Sequence, residues 1–169
     1  MGSEPDNHER IARWKGMDDV WVGFYACQHT GSENPSFMRR QHGLLGYMNG
    51  LNMTFNYEFA IGPWNDRSYD LYKPMVIAYR NYGGFVDTLQ WEGYREGIDD
   101  IRYATKLQQE IRKALASGNI DYVCEGRKAL QYLAALDPDE MDLNCVRAEM
   151  IEYILKLMRM GGLCEENGK

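Results

Sequence analysis

No apolar run in this sequence approaches the ~18 residues that would suggest a membrane-spanning helix. It also lacks an internal repeat, a low-complexity stretch and a glycine period, so it is not collagen-like. Paired cysteines are missing. Cys27, Cys124, Cys145 and Cys164 lie scattered with no C-x-x-C pair among them, and a zinc tetrahedron would need closely spaced ligands. Cys124 and Cys145 fall inside helical patterns, where the expected role is that of a small buried hydrophobe. Positive charge is short as well: 19 Lys and Arg stand against 25 Asp and Glu, a net charge of −6. Without a basic face, neither nucleic acid nor an anionic membrane surface is an expected partner. The opening residues, Met1-Gly2-Ser3-Glu4-Pro5-Asp6, are acidic and polar, unlike a signal peptide. The compartment stays open, since the signal of a secreted or periplasmic parent would lie outside this chain.

What is present is enough apolar matter for a real core. Of 169 residues, 44% are hydrophobic and 12% aromatic, which excludes a disordered chain. The length falls well short of the roughly 250 residues of a complete (β/α)₈ barrel. Composition changes near residue 88. Up to Asp87 the chain is rich in Gly, Asn, Tyr and Trp with short apolar runs; beyond it come long amphipathic stretches with few breakers.

Val20–Cys27 is almost wholly apolar, as expected of a parallel strand covered on both faces. The polar run Gln28–Pro35 must be a loop. Ser36 can cap a short amphipathic helix carrying Phe37, Met38, Leu44, Leu45 and Met48, and Asn49-Gly50 stops it. A second strand, Met53–Ala60, follows, so the order is that of a βαβ unit. Two parallel strands cannot cover their own faces and edges, so they belong in a larger sheet or barrel. Ile61–Pro74 is a loop, Met75–Tyr79 a short extended run, and Asn81–Gly84 a turn.

Asp87 opens a long helix, with Gln90 as its capping-box partner and Thr88 as the alternative cap. Its apolar stripe runs through Trp91, Tyr94, Ile98, Ile101, Ala104, Leu107, Ile111 and Ala114. Ser117-Gly118-Asn119 breaks the pattern. A second helix over Ile120–Leu136 turns Tyr122, Val123, Leu130, Leu133 and Ala134 inward. Pro138 suits the first position of a third helix, which carries Leu143, Val146, Met150, Ile151, Ile154, Leu155 and Met158 to about Met160, where Gly161-Gly162 supplies the cap. Short connections favour antiparallel packing of the three.

The segment Phe85–Tyr103, reading F-V-D-T-L-Q-W-E-G-Y-R-E-G-I-D-D-I-R-Y, resembles a segment near the end of glycoside-hydrolase-like barrel proteins. These carry a C-terminal domain of unknown function (the 4091 type) and are related to the glycoside hydrolase family 123 β-N-acetylgalactosaminidases. The resemblance covers residues 18 to about 110 and is most specific at Trp91-Glu92 and Arg95–Asp100. Gln90 stands where the group often has arginine. The resemblance implies that Val20–Cys27 and Met53–Ala60 are the last two strands of a TIM barrel. The expected fold is therefore an α/β remnant of a TIM barrel, residues 1–87, followed by an all-α three-helix segment, residues 88–169.

Within the motif, Glu92 can pair with Arg95 and Asp99 with Arg102 along the helix. Gly97 in mid-helix costs roughly 1 kcal/mol relative to alanine, and is acceptable where a neighbouring element must approach closely. Trp91, Glu92, Arg95, Glu96 and Asp99 are accordingly expected to be a structural motif, fastening the long helix to the barrel.

A sugar site needs aromatic platforms and carboxylates, placed at the C-terminal ends of barrel strands and the loops after them. Those positions hold Tyr25, His29 and Glu33 after the first strand, and Tyr57, Glu58, Trp64, Asn65 and Asp66 after the second. Glu58 is either a ligand group or the partner of Arg39, Arg40 or Arg67. Trp64 is either a sugar platform or a loop anchor. The group's acidic dyad belongs to an earlier strand; Asp18-Asp19 precedes a strand and Asp99-Asp100 lies in a helix, so no catalytic residue is carried over. The sequon Asn52-Met53-Thr54 opens a strand, and chance accounts for it as well as glycosylation. No metal and no cofactor is expected. The expected function is that of a C-terminal piece of a glycoside hydrolase acting on glycans, inactive alone, its partners a carbohydrate and either the rest of the barrel or a second copy. The alternative is an autonomous carbohydrate-binding or protein-interaction module without catalysis.

Overall fold

The computed structural model describes residues 11–26, 34–56, 59 and 77–167. The chain is mixed α/β and mostly helical. It divides into two compact units, Met1–Ile98 and Asp99–Lys169.

In the first unit, a helical turn over 11–15 precedes strand β1, Gly23–Ala26. Helix α1, Pro35–Arg40, follows, with Pro35 at its first position. Its cap is Asn34 rather than Ser36: the Asn34 side chain accepts the Phe37 N–H at 3.0 Å. An asparagine directly ahead of proline satisfies an orphan donor while the proline needs no partner. The chain then passes through a wide π-helical turn, Gln41–Leu45, into α2, Gly46–Met48. Gly43 leaves helical geometry there (φ −106°, ψ −121°).

Strand β2, Met53–Asn56, pairs with β1 in parallel, with Gly23 opposite Met53 and Ala26 opposite Asn56. The βαβ order read from the sequence is present; β1 begins at Gly23 rather than Val20, and residues 27, 57, 58 and 60 of the two expected strands lie outside the described residues. Side chains alternate across the pair. Phe24, Thr54 and Asn56 share one face, and Gly23, Tyr25, Met53 and Phe55 share the other.

β3, Ala78–Asn81, and β4, Gly84–Asp87, form a separate antiparallel hairpin around Tyr82-Gly83. Strand β4 occupies the residues between the expected turn, Asn81–Gly84, and the expected helix start at Asp87. Asp87 ends that strand, and Thr88 caps helix α3, Leu89–Leu115, by accepting the Trp91 N–H at 3.1 Å. The same hydroxyl donates to the Ile77 carbonyl at 2.8 Å, tying hairpin to helix.

The first turns of α3 lie close against the crossover. A Cβ on Gly97 would meet the Arg39 carbonyl oxygen at 2.7 Å and the Gly43 Cα at 3.2 Å, and one on Gly93 would collide with the Pro35 backbone. Two glycines four residues apart on one helix face thus admit the backbone of α1 and its turn, the close approach that justifies a mid-helix glycine.

In the second unit, Ala104, Leu107, Ile111 and Ala114 of α3 form a buried stripe. Helix α4, Ile120–Ala134, is capped by Asn119, whose side chain accepts from the N–H groups of Asp121 and Tyr122. Helix α5, Leu143–Asn167, is capped by Asp142, which accepts from Asn144 at 2.7 Å and Cys145 at 3.2 Å. Pro138 therefore opens a turn, not the helix. Lys156 of α5 reaches Glu125, and Tyr132 donates to the Val146 carbonyl. Ascending α4 meets descending α5, so the two run antiparallel.

Three expectations need correction. Gly161-Gly162 does not end α5, which runs on to Asn167. A Cβ on Gly161 would sit 2.9 Å from the Tyr122 hydroxyl, so this glycine makes room for a neighbour. Leu130 and Ala134, read as inward, are exposed, while Glu125, Gly126 and Ala129 join Tyr122 and Leu133 among the buried residues of α4; on α5, Leu155 and Met158 are exposed. Cys124 and Cys145 are exposed free thiols rather than buried hydrophobes. No described helix is long and apolar enough to cross a membrane.

Candidate functional site

Six rings form a continuous chain in the first unit. Phe24 of β1 meets His42 at 5.4 Å between centroids, and His42 meets Tyr94 of α3 at 5.3 Å. Tyr94 stacks on Trp91 at 5.9 Å with the planes 4° apart. Trp91 then meets Phe59 edge-on at 6.0 Å, and Phe59 meets Phe85 of the hairpin at 5.0 Å. Each contact of this kind adds about 0.5–1.5 kcal/mol beyond area burial. Trp91 is thereby a packing residue, held by rings on both sides.

Two charged pairs of the same motif run along the helix surface. Arg95 donates to Glu92 at 2.9 Å, and Arg102 to Asp99 at 2.7 Å. Exposed pairs at this spacing contribute about 0.3–0.5 kcal/mol each. Gly93 and Gly97 bring the same helix against the crossover backbone. Asp100, next to the exposed Asp99, is buried and accepts from Arg147 Nε at 2.6 Å within the second unit.

His42 sits in the π-helical turn with 1% of its surface exposed. Its Nδ1 shares a hydrogen bond with the Thr54 hydroxyl, and its Nε2 has no partner among the described residues. Burial pushes the imidazole down to about 4, so the ring is neutral at pH 7. Burial also raises the Tyr94 phenol beside it. Sequence reasoning passed over His42. It lies four residues after Met38 and three before Leu45, on the apolar stripe of the crossover, and that spacing was the available signal.

The opposite face of β1–β2 carries exposed rings. Tyr25 is 57% exposed and Phe55, directly across from it, 51%. Trp21, just ahead of the strand, is 72% exposed. The strand expected to be covered on both faces exposes Tyr25 on one. Because His42 contacts Phe24 and Thr54 on the covered face, it cannot act as an acid or base on anything bound at the other.

Of the residues expected to bind sugar, Tyr25 is placed, at the C-terminal end of β1 beside Phe55. His29, Glu33, Tyr57, Glu58, Trp64, Asn65 and Asp66 lie outside the described residues. Among the described residues no cluster of three or more His, Cys, Asp or Glu could hold a metal ion.

The arrangement therefore defines a parallel strand pair, covered by its crossover helix on one side and presenting aromatic rings on the other, with a helical unit following. Comparisons of the chain with family models, curated proteins and solved structures find no match in any of the three.

Proposed function

We propose that this chain supplies two neighbouring strands and a helical cap to a glycosidase-like TIM barrel, as the C-terminal part of a glycoside hydrolase acting on glycans. The observation that carries this reading is the exposure of the Tyr25 and Phe55 rings on the face of β1–β2 opposite the crossover. In a (β/α)₈ barrel the crossover helices cover the outer face of each strand pair, and the other face lines the interior. Tyr25 then stands at the strand end from which barrel ligands are contacted. Its ring, with Phe55, offers the flat apolar surface that a pyranose face stacks on. The resemblance of Trp91–Asp100 to the glycosidase-like group adds independent support.

Such a wall carries no acid pair of its own, so the chain alone binds weakly and does not hydrolyse. Titration of the isotope-labelled chain with an N-acetylgalactosamine oligosaccharide is expected to shift resonances of Tyr25 and Phe55 and to leave α4 and α5 unmoved. Shifts confined to the helices, or none at millimolar sugar, would contradict the proposal. Aryl glycosides should not be turned over; turnover abolished by Glu58→Gln would show that the chain holds a complete site.

A second reading rests on the helical unit. Asp99–Lys169 has its own buried core and exposes Leu155 and Met158 on α5. An autonomous interaction module would use that surface, and would unfold as a cooperative monomer without dependence on a barrel.

A further inference from the structure

The crossover between β1 and β2 is held by a histidine that has nowhere to put a second proton. His42 projects from the π-helical turn into a site closed by three elements. Phe24 approaches its ring from β1, Thr54 from β2 and Tyr94 from α3. Beside it, Gly43 breaks the helix and touches the backbone of Gly97, so the chain has a bend where the ring is anchored. We propose that His42 is an acid-release latch: its neutral ring locks the crossover onto the sheet and α3, and a proton taken up at Nε2 frees the crossover.

The surroundings give a protonated ring no help. Phe24 from β1 and Thr54 from β2 are uncharged. Tyr94, the titratable group facing the ring from α3, is kept in its neutral phenol form by burial. In the crossover itself Arg39 and Arg40 are the nearest charges in sequence, and as cations neither is a counter-ion. No ion pair reaches His42 among the described residues, and desolvation is the cause acting on it. An imidazolium has two N–H donors, and Thr54 engages one nitrogen only. A buried cation with an unmet donor is expensive, whereas water satisfies both once the crossover lifts. Proton uptake is thus coupled to opening.

Hydrogen exchange on the full chain tests this. After correction for intrinsic exchange, the opening constant of amides in 35–48 should rise about fifteenfold between pH 6.5 and pH 5, with no such rise in α4. In His42→Phe the slope should vanish. A wild-type crossover that keeps its protection to pH 5, or an equal slope in His42→Phe, overturns the proposal. Carbon-edited NMR of the wild-type ring covers the case in which the variant does not fold. The ring should stay neutral while the crossover is protected; protonation near pH 6.5 with protection intact would refute the latch.

Discussion

An exposed histidine protonates near pH 6.5, while burial holds His42 neutral to about 4. Between those values the unfolded chain binds a proton that the folded chain does not, so stability is complete above pH 6.5 and falls as pH drops through the window. The loss by pH 4 is about 3 kcal/mol. Urea titrations at pH 7 and pH 4.5 should show most of it, and His42→Phe should remove that part of the slope. Two carboxylates add to the acid sensitivity at lower pH. At Glu125 the hydrogen bond from Lys156 leads in lowering the carboxyl. At Glu110 burial pulls upward, but Lys106 and Lys113 more than offset it. Both contribute stability above the ordinary glutamate range that is lost on acidification below it. Glycine positions separate by contact. Gly93→Ala should destabilise by about 1–3 kcal/mol, because its Cβ meets fixed backbone at Pro35, even though alanine is the better helix former. Gly162→Ala, in open space on α5, should gain up to about 1 kcal/mol. Thermal melts of the two variants give the opposite signs directly.

At the scale of elements, the helical unit is joined by a buried ion pair and an apolar seam. Arg147→Ala would leave Asp100 buried without its 2.6 Å partner and should cost about 3–5 kcal/mol. The double replacement Asp100→Leu with Arg147→Met should recover most of that, and a denaturant double-mutant cycle measures it. Leu107→Ala, in the fully buried stripe, should lose about 2–5 kcal/mol. Leu155→Ala, 46% exposed, should lose under 1 kcal/mol. These helices were legible in the sequence because their stripes repeat at three and four residues and Ser117-Gly118-Asn119 interrupts them. Which apolar residues face inward was less legible. α5 carries Ile151, Leu155 and Met158 beside Val146, Met150, Ile154 and Leu157, and two adjacent stripes leave its rotation to tertiary contacts such as Tyr122 over Gly161. The strand β4 was hidden for a different reason. Gly84-Phe85-Val86-Asp87 is four residues long and abuts a helix cap, so its pairing with Ala78–Asn81 leaves no periodic trace. His42 escaped because a polar residue on an apolar stripe reads as surface until its neighbours Phe24, Thr54 and Tyr94 are brought together.

On the scale of the whole chain, the strand pair β1–β2 is the decisive element. The nearly unbroken apolar run Val20–Cys27, the polar loop after it and the breaker Asn49-Gly50 made the βαβ order readable. The sequence alone left open which face the crossover would cover, and this is settled by His42 meeting Phe24 and Thr54. A two-stranded parallel sheet with aromatic rings exposed on one face is unusual for a protein that stands alone. The barrel-wall proposal explains it as a face made for burial. The most direct test is binding of a hydrophobic dye to the native chain at pH 7, compared with a Tyr25→Thr, Phe55→Thr double variant. The account predicts strong dye fluorescence in the wild type, cut several-fold in the variant while helical circular dichroism and melting are unchanged. A wild type that binds no dye, or a variant that binds as much, would contradict it.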